Sequence, residues 1–219
     1  MPSGGGRIGE IMNNRLLRRA ALVAVPLFLA AAPASAHHVM GGKTPSTFME
    51  GLLSGLGHPV IGPDHLAFLL AVGVAVGVGG LSLALPVWFV AAMAVGVAVH
   101  VNGITLPAAE IIVALSVLLA GILIVRGRAL PTAAWAALFC AAGLFHGYAF
   151  GESIYGAETS PLGAYLIGLV VIQSVLMIGT ALTARRLGAG VSELAPRLAG
   201  AMIIGVGFTA LVGQVVPGA

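Results

Sequence analysis

The chain has 219 residues, of which 59% are hydrophobic and 8% charged, and its mean hydropathy is +1.08. That balance excludes a soluble globular domain and points to an integral membrane protein, one bundle with little room for a further domain. The net charge of +3 is spread along the chain, which argues against a nucleic-acid-binding surface. The one cysteine, Cys140, rules out an internal disulfide or a cysteine-based metal centre within one chain.

The N-terminal stretch reads as a removable export signal over residues 1–36. Arg15, Arg18 and Arg19 form its basic region, Ala20 to Ala32 its apolar region, and Ala34-Ser35-Ala36 a small-x-small cleavage site. Met12 is the better start, because residues 1–11 are atypical of such signals. The apolar core is short for a spanning helix, which needs about 20 residues. Cleavage would expose His37 and His38, where a free amine beside two imidazoles can capture a divalent ion.

Residues 37–58 then form an external segment with a short apolar helix, Thr47 to Gly57, and residues 59–219 form a bundle of six transmembrane helices. The expected spans are Pro59–Gly79, Ser82–Val101, Ile104–Val125, Leu130–Gly151, Pro161–Ala184 and Leu194–Val216, each near the length that crosses the hydrocarbon layer. Lipid leaves backbone polar groups no water, so the fold class is all-α. Arg126 and Arg128, then Arg185, Arg186 and Arg197, mark the cytoplasmic loops, while the opposite loops carry Glu152 and Glu158. Both mature termini are then periplasmic and the membrane is the bacterial inner one. Glycines at helix-packing spacing, such as Gly73/Gly77 and Gly143/Gly147, let helices approach closely and are compatible with a homo-oligomer.

Within this frame the ionisable residues gather at one level. An ionised side chain in hydrocarbon costs on the order of 2.5–3.5 kcal/mol, so each one asks for a function. His58-Pro-Val-Ile-Gly-Pro-Asp64-His65 opens the first span, and Pro59, Gly62 and Pro63 should break the helix there into an irregular, cavity-lining turn. Asp64 would ligate a metal or orient a neighbouring histidine. His100 ends the second span, Glu110 lies about two turns into the third, and His146 and Glu152 close the fourth, all toward the outer side. Imidazole with carboxylate is a donor set for divalent transition metals. Gln173, in mid-span, either bonds a neighbouring helix or lines a path. The methionines form no cluster, which disfavours a thioether copper route.

At His58-Pro-Val-Ile-Gly-Pro-Asp64-His65 and Phe145-His146-Gly-Tyr-Ala-Phe-Gly-Glu152 the chain resembles the HupE/UreJ family of hydrogenase and urease accessory membrane proteins, regarded as nickel or cobalt permeases. The first segment has the family pattern H-P-x-x-G-x-D-H and the second resembles H-G-x-A-x-G-E. The resemblance implies movement of Ni²⁺ toward the cytoplasm for a nickel enzyme, with His58, Asp64, His65, His146 and Glu152 as metal residues. Many members carry a further histidine where this chain has Phe150.

The leading expectation is therefore a secondary permease, not an enzyme, with no prosthetic group and with Ni²⁺ or Co²⁺, ahead of Zn²⁺, as cargo. No phosphate-binding loop of the P-loop type is present. The alternatives are an intramembrane zinc hydrolase, with Glu110 or Glu152 as general base, and a non-transporting metal-binding accessory protein.

Overall fold

A computed structural model describes residues 43–127, 130–188 and 194–216, and among these the chain is helical with no strand. The expected signal segment and cleavage site, with His37 and His38, lie outside the described residues. The helices are α1 (Phe48–Ile61), α2 (Pro63–Val78), α3 (Leu85–Val101), α4 (Ala109–Arg126), α5 (Thr132–Glu152), α6 (Thr159–Gly188) and α7 (Leu194–Val215).

Local chemistry sets their ends. α1 opens on a capping box: Thr47 Oγ1 accepts the Glu50 amide, and Glu50 Oε2 accepts the amides of Thr47 and Ser46. It closes at Gly62, whose amide donates to the His58 carbonyl. Pro63 starts α2 at once, in the first turn where its missing N–H is no loss. The break expected across Pro59 to Pro63 therefore narrows to Gly62, and Pro59 stays inside α1. The helix expected to end at Gly57 carries on to Ile61, and the span expected from Pro59 begins at Pro63. α4 starts later than hydropathy suggests, because the apolar Ile104 lies in an exposed connection after the positive-φ turn at Gly103.

Among the described residues four helices are long and apolar enough to cross a membrane: α4, α5, α6 and α7. α1 and α2 qualify together as one broken element bent by 78°, and α3, at 17 residues, is shorter.

Packing follows the glycines. An added Cβ on Gly147 would strike the Met93 carbonyl, and one on Gly151 would strike His100, so α3 and α5 run parallel in direct backbone contact. Gly121 on α4 meets Gly200 and Ile204, while Gly207 meets Val117 and Leu118, so α4 and α7 are antiparallel. α6 is covered in succession by both halves of the broken element: Gly51 and Gly55 of α1 meet Pro161 and Tyr165, then Gly73 and Gly77 of α2 meet Met177 and Ala181. Both halves thus advance along α6 in its own direction, and the break between them faces the middle of α6. At the far end the Arg185 guanidinium donates to the Leu81 carbonyl, tying α6 to the α2–α3 connection.

Candidate metal-ion site

The bend at Gly62 brings His58, near the end of α1, against His65, in the first turn of α2. Their rings lie edge to face with centroids 5.9 Å apart. α5 supplies the third imidazole, His146, 5.0 Å from the His65 ring. All three are buried, with 4%, 4% and 1% of their surface exposed. Phe150, one turn beyond His146, closes the group at 5.1 Å from His58 and 4.3 Å from His65. Phe68 packs against His146 at 4.6 Å.

Hydrogen-bond accounting fixes which nitrogens carry protons. Tyr165 Oη donates its single proton to the Phe150 carbonyl at 2.8 Å, so its contact with His58 Nδ1 at 2.9 Å must be one it accepts. His58 Nδ1 then carries a proton. Ser116 Oγ likewise donates to the Val113 carbonyl at 2.7 Å and accepts from His146 Nε2 at 2.9 Å. His146 Nδ1 is therefore an acceptor, and the proton in its 2.9 Å contact with His65 Nδ1 belongs to His65. Two backbone carbonyls, acting through one phenol and one serine, thus orient all three rings.

The consequence separates roles. His146 uses both nitrogens within the protein, whereas the contacts of His58 and His65 with Tyr165 and His146 are made through Nδ1. Among the described residues no group of three or more His, Cys, Asp or Glu side chains is set to hold one metal ion.

The carboxylates lie on the neighbouring turns. Asp64 Oδ1 accepts the His65 amide at 2.9 Å, in the first turn of α2, where the helix dipole favours an anion. Half-buried Glu110, in the first turn of α4, lies in the electrostatic field of Asp64 and Glu152, and Asp64 also acts on His146. Glu152 is exposed at the end of α5. His100 stands apart: its ring packs on Tyr148 at 4.5 Å and Tyr155 at 5.8 Å, with its buried Nδ1 lacking a hydrogen-bond partner among the described residues. Tyr165 escaped the sequence reading. Its only signal there was a phenol within an apolar span, which needs a buried partner.

Apolar helices of membrane-crossing length around buried, hydrogen-bonded imidazoles define an α-helical membrane protein with a buried polar site. A family model described as HupE / UreJ protein matches residues 25–210, and the chain belongs to that family. It is 31% identical over 167 residues to Protein HupE of Rhizobium leguminosarum bv. viciae, which covers 75% of this chain and 86% of that relative. No solved structure matches the chain.

Proposed function

We propose that the protein is a secondary permease that carries Ni²⁺ or Co²⁺ across the bacterial inner membrane to supply a nickel enzyme such as a hydrogenase or urease. The observation that carries this reading is the buried pair of imidazoles, His58 and His65, brought together at a helix break and each anchored through Nδ1. Broken helices in membranes are tolerated where irregular backbone lines a binding cavity, and in carriers they form the substrate site. With α1 and α2 taken as one broken span, and α3 as another, the bundle has six.

The surrounding groups support a cargo site. Asp64 and Glu152 put a negative field over the approach at Glu110, and such a field concentrates cations. Two imidazole nitrogens bind a divalent transition metal but hold it less firmly than a closed set of three or four, and a permeation site must release what it selects. A zinc hydrolase needs three preorganised ligands and an open position for water, whereas His146 here is committed to Ser116 and His65. Imidazole suits nickel, cobalt, copper and zinc alike. The choice of Ni²⁺ or Co²⁺ therefore follows from the family resemblance.

Arg126, Arg185, Arg186 and Arg197 favour a cytoplasmic location for their end of the bundle, with the histidines reached from the periplasm. Both mature termini are then periplasmic.

Purified protein in proteoliposomes containing a metal-sensing dye tests the proposal. The expected result is saturable Ni²⁺ or Co²⁺ influx that falls at least about tenfold in His58→Ala and His65→Ala at equal incorporation. Wild-type influx no greater than in protein-free vesicles would overturn it.

A further inference from the structure

Gln173 is fully buried, and among the described residues neither its Nε2 nor its Oε1 has a hydrogen-bond partner. A buried primary amide has two donors and an acceptor oxygen to satisfy, and leaving them unmade is costly. Such a group in a native core calls for a reason beyond packing, such as water or an ion.

Its place supplies one. Tyr165, Leu169, Gln173 and Met177 follow one another at four-residue spacing on the buried face of α6. Gly73 of α2 meets Met177 and Thr180, and Gly77 meets Ala181 and Ala184, so the two helices advance together, turn for turn. Carrying that register back sets Leu69 beside Gln173, and His65 beside Leu169. Gln173 then stands one turn, about 5.4 Å, beyond His65 on the way to the Arg185 end. The helix that orients His58 through Tyr165 therefore presents an unsatisfied amide one step further in. The large buried side chains around that level are apolar: Phe68, Leu69, Leu169 and Met177.

We propose that Gln173 is a second, inward station on the ion path, where its amide oxygen takes a partly hydrated divalent cation leaving His58 and His65 while its NH₂ group donates to no metal. An amide oxygen is a neutral, weak ligand, and a weak site after a nitrogen site lets the ion move on. This rests on the permease reading, and it assigns to α6 a function in release as well as in orienting His58.

The test compares wild type with Gln173→Leu and Gln173→Met, two apolar replacements of similar size. Each protein is measured for Co²⁺ binding in detergent by absorption spectroscopy, for Co²⁺ influx in proteoliposomes and for thermal stability. The proposal expects Co²⁺ binding within about twofold of wild type, unchanged or raised stability, and influx lowered at least tenfold. Wild-type influx in either folded variant would overturn it while leaving the permease reading intact. Unfolding of both variants would also count against it, because the amide would then hold the core together rather than serve the ion. Absence of influx in the wild type would remove both proposals together.

Discussion

His65 Nδ1 and His146 Nδ1 face each other at 2.9 Å, a contact that one shared proton makes favourable and two would make repulsive. Because Ser116 takes the Nε2 proton of His146, the shared proton comes from His65. The direction of every bond from the Val113 carbonyl to His65 is thereby set. The outcome depends on two residues that need never touch the ion, Ser116 and Tyr165.

Ser116→Ala removes the acceptor for His146 Nε2–H and lets the ring change tautomer or turn. Loss of an outer partner of a metal-binding histidine typically costs 10–100-fold in affinity, so Co²⁺ affinity should fall by about tenfold. Ser116→Thr, which keeps the hydroxyl, should restore most of it. Equal affinity in wild type and Ser116→Ala, by titration in detergent, would show that His65 does not depend on this chain.

Tyr165→Phe has two effects. It removes the partner of His58 Nδ1 and strands the Phe150 carbonyl, at about 1–3 kcal/mol for a buried unsatisfied group. Thermal unfolding should move down, and metal affinity should fall with it. A variant that loses affinity but no stability would mean that the Phe150 carbonyl finds another donor.

Gly147→Ala tests the helix packing that holds His146 in place. The new methyl would meet the Met93 carbonyl, a backbone atom that cannot swing aside, so α3 and α5 must separate. Overpacking of this kind costs about 1–3 kcal/mol. Gly163→Ala, whose Cβ meets nothing within 4 Å in α6, serves as the control and should hold or slightly raise the unfolding temperature.

Ala108 begins α4 at φ 56°, two residues before Glu110, in the left-handed region that costs an L-residue roughly 1–2 kcal/mol. Glycine relieves that strain and loses about 0.5–1 kcal/mol through backbone entropy. Ala108→Gly should therefore hold or slightly raise the unfolding temperature, and Ala108→Val should lower it. A lower unfolding temperature for the glycine variant would contradict the strain.

Much of this was legible in the sequence. Hydropathy located α5, α6 and α7 to within a few residues, because in lipid an apolar run and a helix are nearly the same statement. The Pro59-to-Pro63 segment announced a break between His58 and His65. Its sharpness did not show, because Pro59 is tolerated in the last turn of α1 while Gly62 alone makes the bend. Ile104 misled for a related reason: apolar residues also occupy exposed connections at a membrane surface. Periodicity says nothing about which histidine nitrogen is protonated. That depends on the hydroxyls of Tyr165 and Ser116, which approach only when α6 meets α1 and α4 meets α5. For the same reason His146 looked like one more imidazole beside His58 and His65, when the fold uses both of its nitrogens.

The central claim is that the ion is held through the imidazoles of His58 and His65, with His146 orienting rather than binding. X-ray absorption at the nickel edge, on loaded wild-type protein and on the His58→Ala/His65→Ala double variant, tests it most directly. The account predicts scattering from two imidazoles in the wild type and none in the double variant, where His146 remains. An imidazole signal that persists in the double variant, or its absence from the loaded wild type, would contradict it.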